Sequence, residues 1–287
     1  MQATFDPRIT AARPDLAAEH WQGIIPAERY AKGILMQVVA PTAPLFGAPR
    51  SDGPMHSEML FGETLMCYER TEDGWCWGQM TGDHYVGYVP SDLLVPAVTE
   101  PTHRIGSLRS FVYPGPSIKS APVMALSFGS QLTIVQDKDG FSALAGGGFV
   151  ISGHLFPIDY MAEDPAIFAT MMAGAPYLWG GRSSLGMDCS GLVQLAFQAC
   201  AIPCPRDSDM QEREIGHAVS FASRLRRNDL VFWKGHVGIM LDTDTLLHAN
   251  GHHMACIHEP LAVARGQILA KSGNDISTIK RLDPLPK

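Results

Sequence analysis

The stretch YLWGGRSSLGMDCSGLVQLAF, from Tyr177 to Phe197, sets a glycine-broken polar loop against an apolar run and puts Cys189 at the junction. A helix predicted to start at Asp188 or Cys189 turns the unpaired N–H groups of its first turn, and the positive end of its dipole, toward the sulfur. Both favour a thiolate. A thiolate nucleophile needs a base to carry its protons, usually a histidine. Two later runs supply one each: KGHVGIML holds His236, 47 residues after Cys189, and TLLHANG holds His248, 12 residues further on. A cysteine in apolar sequence is more often a small buried hydrophobe, but the two imidazoles favour nucleophilic chemistry here.

The gap of twelve has geometric content. Side chains alternate faces along a strand, and directly opposed residues share a face. If the two runs form an antiparallel hairpin around DTDT, His236 and His248 share a face only when paired positions sum to an even number. That requires an odd-length connection, three or five residues around 242–246, which is a common loop length. In that register one imidazole faces the sulfur and the other fixes its tautomer, as nucleophile, base and orienting group.

These residues need a scaffold. From residue 161 onward, AEDPAIFATMMAGA and SGLVQLAFQACAI read as helices, the second stopped by Pro203 and Pro205. DLVFW, HVGIML and TLLHAN then read as strands, and helices followed by a run of strands predict an α+β domain over 160–287. Upstream the texture is all-β. ILMQVVA, TLMCYE, WCWGQM and YVGYVP, separated by turn clusters, predict a small barrel over 33–97. SFVY, QLTIVQ, FSALAGG and FVISGHL repeat the theme over 103–158. ERTEDGW and VQDKDGF share a strand, an Asp-Gly turn and an aromatic, in the manner of an internal duplication. Residues 1–32 read as an arm or packed extension, with a short helix possible around DLAAEHWQ.

Composition narrows the class. Hydrophobic residues make up 46% and charged residues 18% of 287, with a net charge of -7 and no basic run, which argues against a nucleic-acid partner. No apolar stretch approaches a membrane span, and MQATFDPRIT has no signal-peptide pattern, so a cytoplasmic protein is expected, with its six cysteines as thiols. Glycine-rich phosphate loops are absent. Cys200-x₃-Cys204 and the group His252, His253, Cys256 and His258 contain metal-ligand types without a zinc-type spacing. No metal and no cofactor are expected.

The blocks PYLWGG, MDCSGLVQ, HVGIML and LLHANG, in this order, resemble the NlpC-type branch of papain-like cysteine peptidases. One departure is that the strand before HVGIML opens with Asn228-Asp229 where Gly-Asp is usual. The resemblance covers roughly 160–287, and the modules before it resemble bacterial SH3-like domains. It implies an α+β fold, a papain-like catalytic domain preceded by two small SH3-like barrels. It also implies Cys189 as nucleophile, His236 as general base and His248 as orienting group. The backbone N–H of Cys189 then serves as the oxyanion donor, with the Tyr177 hydroxyl assisting, and Asp188 and Ser190 line the cleft.

CPRDSDMQ (204–211) is similar to a block of the cytosolic γ-D-glutamyl-L-diamino acid endopeptidases, which also carry two SH3-like domains. This implies Asp207, with Ser208 beside it, as the holder of a free N-terminal L-Ala amine. Tyr85 in DHYVGYVP closes the site, and Glu63 in SEMLFGE, with Glu58 as its rival, supplies an acidic group. The implied partner is a murein peptide, L-Ala-γ-D-Glu-diamino acid, cut at the γ-D-Glu bond during recycling. Two other functions fit the same residues. One is a different Cys-His acyl-transfer enzyme, an amidase or transacylase. The other is a non-catalytic wall-binding protein that works through its barrels.

Overall fold

The structure is a computed structural model and describes residues 5–96 and 98–282. The chain divides into two compact units, one ending at Asp159 and the other starting at Tyr160.

The first unit is all-β. Its larger sheet runs in the order Leu94–Val95, Ile34–Val38, Thr64–Arg70, Trp75–Met80, Val86–Pro90, Thr42–Phe46, Met55–Leu60. Met36, Val38, Leu45, Leu65, Tyr85 and Val89 lie in its core. Three of these strands escape the sequence reading: Pro44 interrupts Thr42–Phe46, Met55–Leu60 follows the turn-rich APRSDG, and Leu94–Val95 is only two residues long. The second module packs Ile105, Val112, Leu126, Leu132 and Val150 between three small sheets. The shared Asp-Gly cue falls at the same place in both modules, in the hairpins Arg70–Trp75 and Lys138–Phe141.

Residues 5–32 correct the expectation of a helix. DLAAEHWQ forms a strand, Leu16–Ala18, and one 3₁₀ turn, Glu19–Trp21, in a sheet with Ala12–Arg13 and Arg29–Ala31. Ala11, Leu16 and Ala18 cluster with Trp77 of the larger sheet, and the Arg13 guanidinium lies 4.5 Å over the Trp77 ring. Burying three small apolar residues against an indole outweighs the helix propensity of a short Ala-Glu run.

The second unit is α+β. Its six-stranded antiparallel sheet comprises β1 (His217–Ala218), β2 (Leu230–Trp233), β3 (His236–Met240), β4 (Thr245–Asn250), β5 (Ala255–Pro260) and β6 (Thr278–Arg281), in the order β1-β6-β2-β3-β4-β5. Its helices are α1 (Pro165–Met171), α2 (Cys189–Ala199), α3 (Ser208–Glu214) and α4 (Leu261–Ser272). Helix α2 is buried along nearly its whole length and packs on β3 and β4. Asn228 sits at φ 71°, the left-handed region where glycine is at ease and Asn is tolerated. Its Oδ1 also accepts from Ala166 N at 2.9 Å, so this departure from Gly-Asp gains a tether to α1. No helix among the described residues is long and apolar enough to cross a membrane. All six cysteines are free and buried.

Candidate active site

Helix α2 begins with Cys189, and Asp188 is its N-cap, with Oδ1 accepting from Gly191 N at 2.7 Å. The same carboxylate accepts from Gly180 N at 2.9 Å and from both terminal nitrogens of Arg206, at 2.9 and 2.7 Å. Ser190 Oγ donates to Asp188 at 3.2 Å and lies 2.9 Å from Arg206 Nη1. Asp188 and Ser190, expected to line the cleft, flank Cys189 with their side chains buried and engaged, where they hold the start of the helix. Gly191 is required here, since a Cβ on it would stand 2.5 Å from the carbonyl oxygen of Gly181.

The backbone N–H groups of Ser190 and of Val237, the neighbour of His236, lie near the Cys189 sulfur and favour its charged form. Helix α2, which Cys189 opens, packs on β3, which His236 opens. Burial, and then the Asp188 charge, push the thiol up to about 12, against the N–H donors and Arg206. Burial and the facing His248 lower His236 to about 3. The expected helix-start stabilisation of a thiolate is present, but desolvation outweighs it. Both shifts favour the neutral forms, thiol and imidazole, at rest.

The register of β3 and β4 pairs Ile239 with Leu247 and Met240 with Leu246. The pairs sum to an even number, so His236 and His248 share a face, and His236 Nε2 lies 2.8 Å from His248 Nδ1. Gly238 stands opposite His248 in this register, and a Cβ there would meet Leu246 Cδ1 at 2.7 Å and His248 Cβ at 3.1 Å. Strand β5 pairs Ile257 with His248, which sets Glu259, two residues on, on the same face. Glu259 Oε1 lies 2.9 Å from His248 Nε2.

Tyr177 is half-buried near Cys189 and Asp188. Burial and those two groups raise its phenol above the ordinary range, so it remains a donor. Asp207 occupies the N-cap position of α3 and makes no side-chain capping bond to it, with Ser208 opening the helix. In the first unit Tyr85 belongs to the barrel core, and Glu63 braces its own turn by accepting from Leu60 N at 2.9 Å. Glu58, its rival, is buried on the strand Met55–Leu60. Among the described residues no group of three or more His, Cys, Asp or Glu is placed to hold a metal.

Residues 174–264 match the NlpC/P60 family, and residues 45–94 match the bacterial dipeptidyl-peptidase SH3 domain. The chain carries an NlpC/P60 domain and a bacterial dipeptidyl-peptidase SH3 domain. Among curated relatives, dipeptidyl-peptidase 6 of Lysinibacillus sphaericus is 29% identical over 237 residues, 74% of this chain and 86% of that one. The gamma-D-glutamyl-L-lysine dipeptidyl-peptidase of Bacillus subtilis (strain 168) is 32% identical over 138 residues, 43% of this chain and 46% of that one. An NlpC/P60 family protein of Bacillus cereus ATCC 10987 shares the fold, with a TM-score of 0.71 at 20% identity, covering 88% of this chain and 100% of that one. The NlpC/P60 span contains Cys189, Asp207, His236, His248 and Glu259, while the second β module, from His103 to Pro157, lies outside both matched spans.

The sequence reading of this NlpC/P60 domain passes over two residues. Arg206 stands beside Asp207 in a quoted block, but a charge buried to 1% exposure has no sequence signal of its own. Glu259 does leave one. On a strand whose alternate residues face the site, it is a carboxylate at an inward position.

Proposed function

We propose that this peptidase hydrolyses the γ-D-glutamyl–diamino acid bond of murein peptides that carry a free N-terminal L-Ala, through an acyl-enzyme on Cys189. The observation that carries this reading is the imidazole pair on the strands that pack against the helix opened by Cys189. His236 Nε2 lies 2.8 Å from His248 Nδ1, and α2 packs on both β3 and β4. His236 uses Nε2 toward His248, so its Nδ1 is the nitrogen left to serve the thiol.

Because the resting pair is neutral, proton transfer accompanies attack. The thiol proton passes to His236 Nδ1 as the sulfur bonds to the γ-carbonyl carbon of D-Glu. The oxyanion is met by the N–H of Cys189 and by the Tyr177 hydroxyl. The tetrahedral intermediate collapses, the C–N bond breaks, and the diamino acid's nitrogen takes the proton from His236. Water, deprotonated by His236, then hydrolyses the thioester and returns the proton to sulfur. A cavity of about 120 Å³ opens beside both imidazoles, with Gln267 and Lys271 of α4 in its wall.

The substrate assignment is supported by the names of the relatives. In this reading Asp207 and Ser208 take the L-Ala ammonium. Six unpaired cysteines fit a reducing, cytoplasmic setting for peptide recycling.

The test is to incubate the protein with L-Ala-γ-D-Glu-diaminopimelate and with its N-acetylated form. Cleavage of the first alone is expected, with release of diaminopimelate. Equal cleavage removes the amine gate and leaves the peptidase, whereas cleavage of neither removes the substrate assignment. In Asp207→Ala, loss of a charged hydrogen bond of about 2–4 kcal/mol lowers kcat/KM roughly 30- to 800-fold on the free-amine peptide.

A further inference from the structure

The nitrogen behind the base pair has two suitors. His248 Nε2 lies 2.9 Å from Glu259 Oε1 and 2.7 Å from Asn250 Nδ2. The Asn250 amide is oriented by its own Oδ1, which accepts from His252 N at 3.0 Å and His253 N at 2.8 Å, so the nitrogen end faces the imidazole. These two contacts ask opposite things of Nε2. The carboxylate needs a proton on it, and the amide needs a lone pair. One neutral imidazole cannot satisfy both.

The choice propagates to the sulfur. If Nε2 accepts from Asn250, the His248 proton sits on Nδ1 and points at His236 Nε2. His236 must then accept there and carry its own proton on Nδ1, so it cannot take one from the thiol. If Nε2 donates to Glu259, His248 Nδ1 is the acceptor, His236 donates from Nε2, and His236 Nδ1 is free to act as base. We propose that Glu259 is the positioning residue that selects this second, base-competent arrangement, by holding the His248 proton on Nε2 against the competing amide of Asn250. A hydrogen bond to a carboxylate is roughly twice as strong as one between neutral groups, so the carboxylate prevails. Glu259 is itself anchored: Gln267 Nε2, from α4, donates to Oε2 at 3.2 Å, and His253 Nε2 lies 3.7 Å from Oε1. Both His248 and Glu259 are buried, at 1% and 9% exposure, so water does not compete freely for this proton.

The inference rests on the assignment of His236 as base, and its test separates the two. In full-length protein labelled with ¹⁵N at histidine, the shifts and couplings of the His248 ring report which nitrogen carries the proton, whether or not the enzyme turns over. The wild type is expected to show Nε2–H. Glu259→Leu is expected to move the proton to Nδ1 and to lower kcat about 100-fold with KM changed less than about threefold. Adding Asn250→Asp restores an acceptor from the other side, keeps the bonds to His252 and His253, and is expected to return the proton to Nε2 and recover kcat about tenfold or more. Glu259→Gln, which keeps the shape and a neutral acceptor, is the companion should the leucine variant fail to fold, and is expected to keep Nε2–H with a loss of about tenfold or less. A wild-type Nδ1–H, a tautomer indifferent to Glu259→Leu, or a moved proton with unchanged kcat each overturns the proposal. A protein that cleaves neither peptide, yet shows the expected tautomers, refutes the substrate assignment and leaves the role of Glu259 standing.

Discussion

The nucleophile side and the base side of this site each hide a carboxylate, and the two are used in opposite ways. Asp188 is saturated: two guanidinium nitrogens, two backbone N–H groups and a hydroxyl consume its lone pairs. Glu259 faces an imidazole and a side-chain amide, neither a permanent cation. The difference follows from the neighbours. Next to a sulfur that must become anionic, a bare charge raises the cost of ionisation, so Arg206 neutralises it. Behind an imidazole that must gain a proton, an uncancelled acceptor fixes the tautomer and favours the cationic form. One carboxylate builds the scaffold, and the other sets a proton.

The largest effect expected on either side is the removal of the reacting groups. Cys189→Ala and His236→Ala should each lower peptide hydrolysis by about 10⁴-fold or more, measured by release of the diamino acid. The unfolding temperature should hold in both. Substantial hydrolysis by Cys189→Ala would place the chemistry elsewhere.

The comparison is broken most directly at Arg206. Arg206→Met leaves Asp188 buried as an uncompensated charge, at a cost of about 3–5 kcal/mol. Adding Asp188→Asn should recover much of that. Hydrogen exchange of the α2 amides reads this locally, without requiring the two units to unfold together. Arg206→Met with unchanged α2 protection would mean that the pair does not hold the helix. Because the Glu259 partners are neutral, Glu259→Gln should cost far less stability than Arg206→Met.

The glycines sharpen the same contrast. Gly191→Ala drives a Cβ to 2.5 Å from a backbone carbonyl, which has little freedom to move, and should destabilise the unit by about 1–3 kcal/mol. Gly238→Ala meets a Leu246 methyl at 2.7 Å, a group that can rotate away, and His248 Cβ at 3.1 Å. Its expected effect is on turnover, about tenfold, through a displaced imidazole, with little change in urea midpoint. Equal losses of stability in the two would show that the base side is as rigid as the nucleophile side.

Much of this was legible in the order of residue types, because each motif encodes a local geometry. Asp-Cys-Ser-Gly encodes a capped helix start with a close backbone crossing, and the twelve-residue spacing encodes a shared strand face. Pairwise burial left no such mark. Arg206 reads as a surface charge until Asp188 is seen behind it. DLAAEHWQ reads as helical until Trp77 supplies a surface to bury its alanines. The protonation state was misread for a related reason. The helix start is visible in sequence, whereas the desolvation that outweighs it belongs to the packed interior.

That misreading defines the smallest effect, a spectroscopic one. With the thiol pushed up to about 12 and His236 lowered to about 3, neither group ionises between those limits in the free protein. Thiolate absorbance near 240 nm, taken as the difference from Cys189→Ala, should be absent at pH 7 and rise only in strong alkali. A difference signal that persists to pH 4 would establish a thiolate–imidazolium pair and overturn the neutral resting state. The signs for stability follow by linkage. His236 is depressed on folding, so its contribution is complete above the unfolded value of about 6.5 and is lost as the pH falls through about 3. Cys189 is raised on folding, so its contribution is complete below the unfolded value of about 8.5 and is lost as the pH rises toward about 12. The acid limb should therefore shrink in His236→Phe and the alkaline limb in Cys189→Ala. Each variant should leave the opposite limb in place, since the two sides of the site titrate through different groups.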